Sequence, residues 1–208
     1  YHLTALSALH CGTGQSAGVI DLPIARARAT NIPIVPGSSL RGVLRERIEQ
    51  QDDALAPLLF GPATITSSEN SHAGALSIGD AHLLTLPVRS LAGIVCHVTC
   101  PYVLKRYARD MQAGGGAETS VVVVKDEQAL VPETSKNRMD DGVLVLEDLD
   151  LTAKTSPSAT TWAGRIAGTI HPDDQESQTD FRDRFAIIPD TIFGFLCETA
   201  MELRTRIR

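Results

Sequence analysis

Residues 10–47, HCGTGQSAGVIDLPIARARATNIPIVPGSSLRGVLRER, hold the densest set of chemically able side chains in the chain. A histidine (His10) and one isolated carboxylate (Asp21) flank a glycine-rich turn, and a helix start follows at Gly37-Ser38-Ser39 with Arg41 and Arg45 one turn apart. From Arg26 to Arg47 five arginines meet a single acid, Glu46. A helix N-terminus with unpaired N–H groups, a pair of hydroxyls and two guanidinium groups suits a bound phosphate. A lone carboxylate can accept a proton or hold a divalent ion through water. Each feature also has a plain reading: Asp21 as an Asx turn leading into Pro23, His10 as a satisfied structural histidine, and Gly37–Ser39 as a capped helix and nothing more.

Other chemistries fit poorly. Gly12, Gly14 and Gly18 miss the dinucleotide-binding spacing by one residue, and they lead into IDLPI instead of a helix. No Gly-Lys-Ser/Thr follows, which removes the P-loop. Cys11, Cys96, Cys100 and Cys197 form neither a CxxC pair nor a disulfide framework, so they read as buried thiols in preference to metal ligands. A net charge of −6 and 4% aromatic residues argue against a generally basic or base-stacking nucleic-acid binder. They leave room for a focused site, because charge is segregated: Asp140, Asp141, Glu147, Asp148 and Asp150 lie far along the chain from the arginines. No signal peptide and no long apolar span stand out, and the expected location is the cytoplasm.

The elements that must position these residues follow from pattern. YHLTALSAL (1–9) alternates weakly like a strand, with Leu3, Ala5 and Leu9 on one side. Ser38 and Ser39 are the expected caps of a helix whose apolar stripe is Leu40, Val43, Leu44 and Ile48. Strands are expected within 75–86 and 91–100. Thr99 then caps a helix with Pro101 near its start, a stripe of Val103, Leu104, Tyr107, Ala108 and Met111, and an end at Gly114-Gly115-Gly116. Short strands follow at 121–124 and 143–146. Residues 152–184, rich in Thr, Ser, Gly and Asp, read as an irregular polar lobe. Pro189 and Asp190 open a last helix with Ile192, Phe195, Leu196 and Leu203 on one face, and 204–208 alternates like a strand. The order predicts an α+β chain with a ferredoxin-like βαββαβ core, the arrangement RNA-recognition domains share: one domain over 1–208 with an inserted polar lobe around 114–186.

Taken together, LHCGTGQSAGVIDLPIARARATNIPIVPGSSLRGVLR, LFGP at 59–62, AGALSIGDAHLLTLPVRSLAGIVCHVTCPYVLKR at 73–106 and TAMELRTRIR at 199–208 resemble the RAMP-superfamily backbone subunits of type III CRISPR effector complexes. Within these the chain is most similar to the target-cleaving subunits of type III-B complexes. The resemblance implies a RAMP fold and a metal-dependent endoribonuclease, using Mg²⁺ or Mn²⁺, within an antiviral ribonucleoprotein. Its implied partners are a guide RNA, a target RNA, further copies of the chain in a helical filament and other complex subunits, with no membrane. It implies Asp21 as the catalytic acid and metal ligand, His10 as a contributor, and Gly37, Ser38, Ser39, Arg41 and Arg45 as guide-binding residues. Arg89 of PVRS is a second guide-contact candidate, with a structural ion pair as its alternative. Relatives continue past TRIR into a hairpin that this sequence lacks after 208, and Arg41 stands where lysine is common. Two other functions compete: a guide-binding scaffold that does not cut, which has no need of Asp21, and a small-molecule enzyme, which would require a second titratable group beside Asp21.

Overall fold

Backbone pairings among residues 12, 24–35 and 81–82 build a small sheet in the part of the chain where the chemistry-bearing residues gather. The computed structural model describes residues 1–13, 24–64, 71–116 and 122–201. These residues form two units: one within Ser7–His82, the other of Tyr1–Leu6 with the chain from Leu83 onward. In the first, Gly12 bridges Ile24 and Arg26 bridges Pro33, both antiparallel. Strand β1 (Ile34–Val35) pairs antiparallel with β2 (Ala81–His82), Ile34 lying opposite His82. Backbone bonds from Ala25 N–H to the Cys11 carbonyl (2.7 Å) and from Ile34 N–H to the Ala25 carbonyl (3.0 Å) tie the passes together. Helix α1 (Gly37–Gln51) follows β1 directly, and α2 (Leu55–Phe60) ends at Gly61, whose φ of +78° suits glycine. The apolar stripe expected on α1 is only partly used: Val43 and Leu44 are exposed, and Gly37 is the helix's buried residue.

The second unit is organised by a closed barrel of six strands. They are β3 (Leu86–Ser90), β4 (Ile94–Thr99), β5 (Gln128–Val131), β6 (Val143–Leu146), β7 (Leu149–Thr155) and β8 (Phe185–Ile187), in the order β3-β4-β8-β5-β7-β6. Period-two burial drives it: Leu86 and Val88 point inward while Pro87 and Arg89 point outward, and Leu144, Leu146, Leu151 and Ala153 are buried on β6 and β7. The pair Ser90–Leu146 closes the ring. Around it lie α3 (Pro101–Ala113), α4 (Pro157–Ile170), α5 (Gln175–Asp183) and α6 (Asp190–Thr199). Proline at N1 starts α3, and Gly114 ends it as the glycine triplet predicted. Cys100, one residue beyond the expected Thr99, holds the cap position.

Several expectations need correction. Residues 1–9 carry no strand, and Leu3, Leu6 and Leu9 are exposed; without a partner strand the weak alternation has nothing to pair with. Of the strands expected within 75–86 and 91–100, the first is only partly realised, as the short β2 at Ala81–His82 and the start of β3 at Leu86, while the second forms as β4 at Ile94–Thr99 and pairs with β3. Residues 122–124 are not a strand, though Val122 is buried; the strand forms at β5. Most consequentially, 152–184 is not irregular: it holds most of β7, all of α4 and all of α5. Ala159, Trp162, Ala163, Ile166 and Ala167 of α4 recur at helical spacing and pack with Leu104, Phe181, Phe185 and Ile187. On α6 the buried residues are Phe193, Leu196 and Cys197, while Phe195 is exposed. Leu203 and the strand expected at 204–208 lie outside the described residues.

One side chain in this unit sets a pH dependence. The His97 ring stacks on Phe181 with centroids 4.7 Å apart, and burial, with Arg184 and His171 nearby, lowers its pKa to about 4. The folded state keeps His97 neutral down to that value, whereas the unfolded chain protonates it near its ordinary 6.5. Its contribution is therefore complete above about pH 6.5 and is lost as pH falls toward 4, at most about 3 kcal/mol over that window. Denaturant unfolding of His97→Phe, which keeps the stack and removes the titration, should show a shallower loss of stability between pH 6.5 and 4 than the wild type.

Candidate nucleic-acid interface

The candidate site grows from the small sheet. The antiparallel pairing of Gly12 with Ile24 brings together the two ends of the segment that contains Asp21, and the next pass, β1, runs straight into α1. Asp21 itself, with Gly14 and Gly18, lies outside the described residues. His10 is half-buried on the approach to this ladder and already has an interaction partner.

At the start of α1 the expected caps give way to others. The N-cap position is Pro36, which offers no side-chain acceptor, and Ser38 and Ser39 lie inside the helix with exposed side chains. The Gly37 N–H donates instead to the Asp80 carboxylate at 2.8 Å, from 43 residues away in sequence. The Ser39 N–H donates to the Pro36 carbonyl at 3.0 Å. Ser38 thus keeps a first-turn N–H with no partner among the described residues, beside two exposed hydroxyls. A carboxylate at this end is favoured by the same partial positive charge that favours a phosphate. Gly37 has no room for a side chain, since a Cβ there would lie 2.5 Å from the Ile78 carbonyl oxygen.

The arginines are partly engaged. Arg41, exposed, donates through Nη2 to the Phe60 carbonyl. Arg45 donates to the Gly61 carbonyl at 2.9 Å and pairs with Glu49 at 2.7 Å. Both therefore satisfy carbonyls at the end of α2, where a helix leaves acceptors unpaired. Arg45 is spent on two local partners, while Arg41 retains most of its guanidinium fork toward solvent. Arg89 belongs to the barrel unit, on the outward face of β3, and among the described residues no carboxylate pairs with it.

The structure thus brings Gly37, Ser38, Ser39, Arg41 and Arg45 onto one helix and places Arg89 in the other unit. Sequence reasoning missed Asp80 and the Phe60–Gly61 carbonyls, although they lie within LFGP at 59–62 and the segment 73–106. Among the described residues no three His, Cys, Asp or Glu side chains gather as a metal ion requires. Cys96, Cys100 and Cys197 are buried free thiols, and burial pushes the Cys96 and Cys100 thiols up. No helix among the described residues is long and apolar enough to cross a membrane.

The chain is similar to known proteins in sequence and in fold. The model of the RAMP superfamily matches residues 2–193. The chain is 34% identical over 219 aligned residues to the CRISPR system Cmr endoribonuclease Cmr4 of Pyrococcus furiosus, across 99% of this chain and 69% of that protein. The crystal structure of oligomeric Cmr4 from Pyrococcus furiosus superposes with a TM-score of 0.75 at 30% identity, covering 95% of this chain and 71% of that one. A chain in the type III-B Cmr-beta complex bound to cognate target RNA superposes with a TM-score of 0.66 at 18% identity, covering 96% and 69%, which is a likeness of fold.

Proposed function

The chain belongs to the RAMP superfamily, and from that premise we propose that it is a backbone subunit of a type III-B CRISPR complex that binds guide RNA and cleaves complementary target RNA. The observation that carries this reading is identity of 34% to an endoribonuclease over nearly the whole chain, through the segment that holds Asp21 and the start of α1. Its partners are the two RNAs, other copies of itself and other subunits of the complex, in the cytoplasm.

The first turn of α1 supports guide binding. The Ser38 N–H, the hydroxyls of Ser38 and Ser39 and the free part of the Arg41 fork can share the oxygens of one phosphate. Contacts of this kind hold a backbone without reading sequence, so base pairing between guide and target supplies the specificity. Gly37 serves by letting the backbone come close, Arg45 by bracing the helix, and Arg89 as a separate cation toward the guide.

Asp21 is the proposed catalytic acid, with His10 as the second candidate. In RNA the 2′-hydroxyl is the nucleophile: its oxygen attacks the adjacent phosphorus, the bond to the 5′-oxygen breaks, that oxygen takes a proton from solvent, and a cyclic phosphate and a 5′-hydroxyl remain. Asp21 is suited to take the 2′-hydroxyl proton in this step. Mg²⁺ or Mn²⁺ remains the proposed cofactor, with Asp21 as its candidate ligand through water. Among the described residues no three His, Cys, Asp or Glu side chains compose an ion site, and the proton transfer needs only Asp21 itself.

In the barrel, β4 and β8 are parallel, β8 and β5 antiparallel, with α3 between β4 and β5 and α6 after β8. This arrangement is compatible with a ferredoxin-like core set within the barrel, although the elements differ from those the sequence pattern suggested: residues 1–9 carry no strand and α1 belongs to the other unit. We take both units as one RAMP domain, since the family match spans them.

The test is a complex reconstituted with guide RNA, Mg²⁺ and end-labelled complementary RNA. The expected product is a ladder of regularly spaced cuts. Normal assembly and target binding with an intact target would return the protein to the role of a guide-binding scaffold.

A further inference from the structure

A helix that begins on proline lacks the side chain that normally ties its first N–H groups, yet α1 begins on Pro36 and is well formed. Its cap comes from the segment Gly74–Asp80. At one end this segment is bonded to α2, through Ala75 N–H to the Leu58 carbonyl and Leu76 N–H to the Leu59 carbonyl, each 2.9 Å. There Gly74 lies so close that a Cβ would come 2.5 Å from the Leu59 carbonyl oxygen. At the other end the Ile78 and Gly79 backbone lies equally close to Gly37, and Asp80 accepts the Gly37 N–H. Arg41 and Arg45 run the opposite way, from α1 back to the α2 carbonyls. The first turn of α1 is therefore clamped between two contacts that the helix does not make for itself.

We propose that Asp80 is a positioning residue for guide binding: by capping Gly37 it fixes the first turn of α1 so that Ser38, Ser39 and Arg41 converge on one phosphate. This rests on the guide-binding role of α1 proposed above. Asp80 does not touch the RNA. Because its carboxylate already holds the Gly37 N–H, the phosphate is left with Ser38 and Ser39, one step further along the turn. The hydrogen bond, and not the negative charge, is what matters, since any acceptor at the Oδ1 position fixes the same geometry.

The experiment measures guide-RNA affinity and active fraction of the full chain across a salt series, with thermal unfolding alongside. Asp80→Ala should weaken guide binding about fivefold, the size of effect a lost helix cap produces. The slope of log affinity against log salt should stay unchanged, since no phosphate-neutralising cation is lost. Asp80→Asn, whose amide oxygen still accepts from Gly37, should stay within about twofold of wild type. Should Asp80→Ala not fold, Asp80→Ser, which falls short of the Gly37 N–H, takes its place. Arg41→Ala is the control and should lower the slope by about one. A merely structural role would reduce the active fraction and leave the affinity of the folded protein unchanged, and that result overturns the proposal. So does Asp80→Asn binding as weakly as Asp80→Ala, which would assign the effect to charge. If Arg41→Ala and Ser38→Ala also bind guide as the wild type does, the guide-binding role of α1 itself falls. If they weaken binding while Asp80→Ala does not, the positioning role alone falls.

Discussion

Replacing Asp21 by alanine is expected to abolish the target-RNA cleavage ladder while target binding persists. The reason is chemical. RNA supplies its own nucleophile, so the protein has to orient the 2′-hydroxyl, remove its proton and offset charge as it develops. A positioned acid–base group of this kind contributes about 10²- to 10⁴-fold, and loss within that range should follow from Asp21→Ala. Asp21→Asn preserves the shape of the side chain but neither takes a proton nor holds a cation strongly, and it should fall as far. Titrating Mg²⁺ against Asp21→Asn separates the two duties of the acid: partial recovery at high Mg²⁺ marks a ligand, and an unmoved rate marks a base. Binding must be measured in the same samples, by gel shift with guide-loaded complex. An unchanged ladder would make Asp21 a turn residue before Pro23 and send the search for the nuclease elsewhere in the complex.

How far the sequence discloses this structure depends on the distance over which each feature is determined. Helix α3 was legible because its signals are local: proline at N1, a stripe at Val103, Leu104, Tyr107 and Ala108, and three glycines at its end. The start of α1 was legible as a position but not as a mechanism. Ser38 and Ser39 look like caps, whereas the acceptor that caps Gly37 is Asp80, which no local pattern links to it. Barrel closure was illegible for the same reason, since it depends on pairings such as Ser90 with Leu146 and Leu130 with Ile187. The candidate guide-binding residues came from motif resemblance, and the geometry then divided them, leaving Arg41 facing solvent and engaging Arg45 with Glu49 and Gly61.

Helix α4 shows why composition misleads, and it yields the largest expected effect on stability. Its polar residues suggested a loop, but Thr161 and Thr169 donate their hydroxyls to the carbonyls of Pro157 and Arg165, both at 2.9 Å, so those side chains are satisfied within the helix. Its inward face is small except for Ile166 and Trp162, the only tryptophan, which is almost fully buried. Trp162 lies 6.0 Å from the Tyr107 ring and beneath the Arg165 guanidinium, 5.8 Å from its centroid. Trp162→Ala should destabilise the protein by about 3–5 kcal/mol, because the surrounding alanines are too short to fill the space left behind. For a chain of this length that lowers the melting temperature by about 6–20 °C. Trp162→Phe should fare much better: it refills most of the volume and removes a buried Nε1–H that has no acceptor among the described residues. Thr160→Ala, on the exposed side of the same helix, should change little. Thermal melts followed by far-ultraviolet circular dichroism read all three without relying on tryptophan fluorescence. An irregular polar lobe would give three similar melts; a core helix gives a large loss, a small one and almost none.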